Sequence, residues 1–181
     1  MHSLIDNHPS IMGLPYLHAR DLYTLWTDHI VGSGRNIEGA NELHEYDEKN
    51  LKNVSLEKIV EKIKELRPYF FDHTRGLEES LTRVGENQDK ILTVNEDEFL
   101  SYVKDFFKDK EINRKNYIIS IFVAFNKCFN FHHDENPYIC IPIHDHSIEI
   151  VRKIKEDFDF VKTITMVRNP VKCIGSLLKH I

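Results

Sequence analysis

The chain has 181 residues, 41% hydrophobic and 29% charged, and its 24 Lys and Arg against 29 Asp and Glu leave a net charge of −5. A chain of this length buries about 70% of the surface it exposes when unfolded, which argues against wholesale disorder. The charge balance offers no broad cationic field for a phosphate backbone, so no nucleic-acid partner is expected. No apolar run approaches the roughly 20 residues of a membrane-spanning helix, and no transmembrane segment is expected. Cys128, Cys140 and Cys173 sit in apolar surroundings without paired spacing. They read as free thiols in a reducing compartment, and the expected location is cytoplasmic.

In chain order, Leu4 and Ile5 stand before Asn7 and Pro9 with no capping residue ahead of them, like the last turns of a helix whose start is missing. Ser10 to Pro15 reads as a short strand, and Leu22, Leu25, Trp26, His29 and Ile30 mark a helix face that Gly32-Ser33-Gly34 ends. Residues Arg35 to Asn53 are polar and suit a surface connection or lid. Ser55 reads as the cap of an amphipathic helix carrying Ile59, Val60, Ile63 and Leu66, which stops at Pro68. Tyr69 to Asp89 is ambiguous, and Ile91 to Val94 is too short to assign.

Asn95 with Glu98 is a capping-box pattern ahead of Phe99, Leu100, Val103, Phe106 and Phe107. Asn113 likewise precedes a helix through Ile118, Phe122, Phe125 and Phe129. The aromatic run Tyr69-Phe70-Phe71 and this Phe stripe read more simply as core than as an acceptor pocket. The last third is strand, helix, strand, helix: Tyr138 to Ile143, a helix opened by Ser147, Lys162 to Val167, and a helix opened by Asn169-Pro170. The alternation predicts adjacent parallel strands with ligands at their carboxyl ends. The last helix reaches Ile181 without a cap, so both ends read as cut.

The strongest motif is Val167-Arg168-Asn169-Pro170-Val171-Lys172-Cys173-Ile174-Gly175-Ser176. Arg168 leaves a strand beside the free N–H groups of a helix start, a setting that favours an anion, and its planar fork matches phosphate oxygens. Ser176 lies seven residues beyond Asn169, and seven steps of about 100° return to nearly the same helix face. The competing reading is an ordinary strand-to-helix turn with Arg168 in a surface ion pair.

Arg168 with Ser176, framed by strand, Arg-Asn-Pro and helix, resembles the 3′-phosphate-binding signature of sulfotransferases that use 3′-phosphoadenosine 5′-phosphosulfate. Met1 to Ile11, with its His8-Pro9 pair, resembles the stretch after the phosphosulfate-binding loop of that family. The resemblance implies an α/β fold of the P-loop-kinase-like kind: a small parallel sheet flanked by helices, with a mostly helical middle over 55–130 and the 3′-phosphate-binding part over 138–181. It implies a single, incomplete domain over 1–181, because the loop that cradles the 5′-phosphosulfate has no counterpart in this sequence. It also implies that Arg168 and Ser176 hold the 3′-phosphate of the co-substrate, and that the acceptor is a hydroxyl or amine on a small molecule or glycan.

His144-Asp145-His146 follows the strand over Tyr138 to Ile143. Sulfuryl transfer needs a base for the acceptor proton, and imidazole, with an ordinary pKa near 6.5, suits that role at neutral pH. The family often places a histidine in the corresponding loop, so His144 and His146 are the candidate catalytic residues; the family's neighbouring lysine is absent. The plainer reading is a capping loop with exposed histidines. A rival reading makes a metal site from His132, His133, Asp134, Glu135, His144 and His146, but neither His-x-x-x-His on a helix nor Cys-x-x-Cys occurs. A non-catalytic nucleotide-binding or interaction module of the same fold is the other alternative. A sheet with an unpaired edge is expected to self-associate.

Overall fold

The computed structural model describes residues 8–14, 17–27, 55–71, 83–84, 90–91, 94–130, 134–143 and 148–164. Strand β1 (Ile11–Met12) follows the turn at His8-Pro9, and helix α1 (Ala19–Trp26) buries Leu22, Leu25 and Trp26, the apolar stripe of its sequence. Helix α2 (Lys58–Leu66) turns Ile59, Val60 and Ile63 inward and ends before a single 3₁₀ turn at Pro68–Phe70. Ser55 differs from the expected cap: its hydroxyl donates to Glu57 at 2.6 Å, and the helix starts at Lys58 with Glu57 at the N-cap position.

An antiparallel pair joins β2 (Arg83–Val84), inside the ambiguous segment Tyr69 to Asp89, to β3 (Lys90–Ile91), which reaches into the stretch too short to assign. Helices α3 (Glu96–Phe106) and α4 (Arg114–Cys128) then pack on each other. Their starts are set as the sequence asks: Asn95 and Asn113 accept from the backbone N–H three residues on, each at 2.9 Å. α4 is buried nearly all round, from Tyr117 to Asn126, which makes it the central helix rather than a surface one. It closes at Asn130, whose φ of 52° is the left-handed conformation asparagine tolerates after a helix.

Strand β4 (Tyr138–Ile139) pairs in parallel with β1, Ile11 opposite Tyr138 and Met12 opposite Ile139. The ladder extends past β4, with Cys140 N–H donating to Met12 O at 3.0 Å. Helix α5 (Ile148–Asp157) buries Ile150 and Ile154 against the core. The described fold is therefore α/β, five helices around a two-stranded parallel sheet.

Among the described residues the partner of β4 is β1. Of the expected neighbour, Lys162 to Val167, Lys162 to Ile164 form no strand and residues 165–167 lie outside the described residues. Side chains rather than a backbone ladder anchor the chain after α5: Phe158 and Val161 pack on the core, and Lys115 reaches Asp159 at 3.0 Å.

Aromatic side chains fill the centre. Phe70 meets Phe99 edge-on at 5.6 Å, Phe71 meets Phe99 at 5.4 Å, and Phe70 lies 5.6 Å from Phe125. These contacts join the 3₁₀ turn, α3 and α4 in one cluster, so the Phe stripe is core, with Phe106, Phe107 and Phe129 at its margin.

Candidate functional site

Parallel pairing puts the carboxyl ends of β1 and β4 at one edge of the sheet, the edge at which open α/β sheets receive ligands. Past β1 the chain runs through Gly13 and Leu14; past β4 it runs through Cys140 to Ile143 and enters residues 144–147. The Gly13 carbonyl accepts from Asn126 Nδ2 at 3.1 Å, which ties this edge to the central helix. His144, His146, Arg168 and Ser176 all lie outside the described residues, as do His132, His133 and Cys173.

The first turn of α1 meets the same edge. Ala19 N–H donates to Pro142 O at 2.9 Å, using one of the N–H groups that a helix start leaves without an internal partner. His18 is the N-cap residue, and Asp21, three residues on, accepts from the His18 backbone N–H at 2.9 Å, one arm of a capping box. Asp21 is almost wholly buried, and its charge is met by Arg67, which follows α2: Nε donates to Oδ2 at 3.1 Å and Nη2 to Oδ1 at 2.7 Å. This planar two-bond arrangement joins α1 to the end of α2.

His18, Asp21 and Arg67 belong to none of the motifs read from the sequence. The His-x-x-Asp spacing ahead of Leu22 was a readable capping signal. Arg67 stands 46 positions away, beyond any local pattern.

A second polar network joins α1, α4 and α5 away from the strands. Tyr23 Oη donates to Asp157 Oδ2 at 2.7 Å, and Arg114 donates through Nε and Nη2 to both Asp157 oxygens at 2.7 Å each. Burial holds Tyr23 well above the ordinary tyrosine range, and its bond to Asp157 adds to the effect. Burial also raises the Cys140 thiol, and it pushes Cys128 up to about 11; both cysteines are free. Such thiols are poor nucleophiles at neutral pH.

Asp134 and Glu135, two of the residues in the rival metal reading, are among the described residues. Asp134 lies at the amino end of β4, its N–H bonded to Pro9 O at 2.9 Å and its carboxylate taking the Ser10 hydroxyl. The other candidate ligands, His132, His133, His144 and His146, lie outside the described residues. Among the described residues no group of three His, Cys, Asp or Glu side chains is placed to hold a metal ion. A depression of about 160 Å³ between α1 and α2, lined by Leu25, Lys62, Glu65 and Leu66, is smaller than the few hundred Å³ usual for small-molecule sites. No helix among the described residues is long and apolar enough to cross a membrane.

No family model matches the chain, and no curated protein or solved structure matches it.

Proposed function

We propose that the chain is a sulfotransferase that moves a sulfuryl group from 3′-phosphoadenosine 5′-phosphosulfate to a hydroxyl or amine on a small molecule or glycan. The observation that supports this reading is the parallel pairing of β1 with β4. It sets the stretch after His8-Pro9 beside the segment that leads to His144, with both carboxyl ends at one sheet edge. The Arg168 to Ser176 motif supplies the phosphate chemistry.

In this reading Arg168 and Ser176 hold the 3′-phosphate, and His144 or His146 is the base. The acceptor oxygen or nitrogen attacks sulfur and the bond from sulfur to the phosphate-bridging oxygen breaks. 3′-Phosphoadenosine 5′-phosphate leaves with the bonding pair, and the acceptor proton passes to an imidazole nitrogen.

The test uses the product of the complete reading frame. Calorimetry should show tighter binding of 3′-phosphoadenosine 5′-phosphate than of adenosine 5′-phosphate, since only the former carries a 3′-phosphate. Loss of a charge-assisted pair costs about 1.5 to 3 kcal/mol, so Arg168→Ala should weaken binding roughly tenfold or more, and Ser176→Ala less. Isotope-labelled donor should then pass its sulfuryl group to an acceptor in a panel of alcohols, amines and saccharides. Equal affinity for the two nucleotides, unchanged by Arg168→Ala, overturns the assignment. Nucleotide selectivity without transfer to any acceptor leaves the non-catalytic binding module.

A further inference from the structure

We infer that Arg67 and Asp21 are positioning residues for the carboxyl end of the β4 segment, a reading whose catalytic consequence rests on the proposed sulfuryl transfer. A continuous run of hydrogen bonds connects them to that edge. Arg67 grips Asp21 through Nε at 3.1 Å and Nη2 at 2.7 Å, and Asp21 Oδ2 accepts from the His18 backbone N–H at 2.9 Å. The next residue, Ala19, donates its N–H to Pro142 O at 2.9 Å, two residues before His144.

Proline has no N–H, so the carbonyl is the only backbone group by which Pro142 can be held. Cys140, two residues earlier, is held on the other side by Met12 O at 3.0 Å. Residues 140–142 are thus fixed at two points, the β1 ladder and the first turn of α1.

The orientation of that turn depends on a buried charge. The Asp21 side chain is 6% exposed and that of Arg67 is 38% exposed. Without the guanidinium the carboxylate would have to leave its site or find water, and the turn that carries Ala19 would move with it. Ile59 and Ile63 are fully buried and anchor α2 in the core, so Arg67 projects from a rigid support. Lysine keeps the charge but lacks the planar fork, so it should restore the arrangement only in part.

The experiment compares Arg67→Gln and Arg67→Lys with the wild-type product of the complete reading frame, by amide hydrogen exchange and by sulfuryl-transfer kinetics. Arg67→Gln should speed exchange at Ala19 and Cys140 at least roughly tenfold and leave Phe99 and Tyr117 in α3 and α4 unchanged. It should lower kcat about 10- to 100-fold with the donor KM held within about twofold, because misplacement of a reacting group affects the transition state more than binding. Arg67→Lys should fall between the two. Unchanged exchange at Ala19, an equal rise at all four amides, or an unchanged kcat overturns the inference. Absence of transfer by the wild type counts against the proposed function instead, and the exchange pattern then decides the positioning role alone.

Discussion

Tyr23 and Tyr117 carry their hydroxyls into the interior, Tyr23 toward Asp157 and Tyr117 beside Trp26, whose ring meets it edge-on at 5.4 Å. Burial raises both above the ordinary tyrosine pKa of about 10, so both stay neutral in the folded chain at a pH where the unfolded chain ionises. A group whose folded pKa is raised contributes stability that is fully present below its unfolded pKa and lost as pH rises. The melting temperature should therefore show no tyrosine-linked loss below about pH 10 and should fall above it. Tyr117→Phe should flatten that fall. Tyr23→Phe should flatten it too, at a cost of about 1 kcal/mol for the lost bond to Asp157. Thermal melts across the alkaline range check this, and identical alkaline slopes in wild type and both variants contradict it.

At the scale of elements, the helix caps and the aromatic cluster contribute very different amounts. Asn95 and Asn113 each satisfy one otherwise unpartnered N–H at a helix start, and replacement by Ala should cost about 1 kcal/mol apiece. Phe70 is wholly buried where the 3₁₀ turn, α3 and α4 converge, in contact with Phe71, Phe99 and Phe125. Phe70→Ala removes a ring and leaves a cavity, for which about 3 to 5 kcal/mol is expected. Denaturant titration of the three variants should give that order; a cap variant as damaging as Phe70→Ala would show that the cluster is not the centre of stability.

At the scale of the molecule, β4 pairs only with β1 among the described residues, and apolar side chains stand exposed on it and in the segment after α5. Tyr138 is 61% exposed, Phe160 61% and Ile164 82%, with the Tyr138 and Phe160 rings 6.2 Å apart. Exposed apolar surface beside a strand edge invites pairing with a second copy. Sedimentation velocity should show association that grows with concentration and is suppressed in Tyr138→Lys and Ile164→Lys. A monomer at every concentration, in wild type and variants alike, contradicts this.

Much of the local structure was legible in the chain itself. Helical spacing of apolar residues located α2, α3, α4 and α5, and the side chains of Asn95 and Asn113 announced two helix starts, because periodicity and capping act over four or fewer residues. The phosphate motif is likewise a local reading, although Arg168 and Ser176 lie outside the described residues. Strand partners were not legible in this way. Tyr138 to Ile143 is a recognisable strand, but its pairing with Ile11–Met12 joins segments more than 120 positions apart. The sequence pointed only to Lys162 to Val167 as its neighbour, because proximity along the chain was the only guide; residues 162–164 form no strand and 165–167 lie outside the described residues. The Asp21–Arg67 grip and the Asp157 network were hidden for the same reason. Local pattern by itself determined the helix starts at Asn95 and Asn113 and the inward face of α2. It did not determine the start of α2, expected at Ser55, nor the buried face of α5, where Ile150 is buried and Ile148 exposed. Only the tertiary structure decided which distant charge neutralises a buried carboxylate, since that depends on how separately formed elements pack.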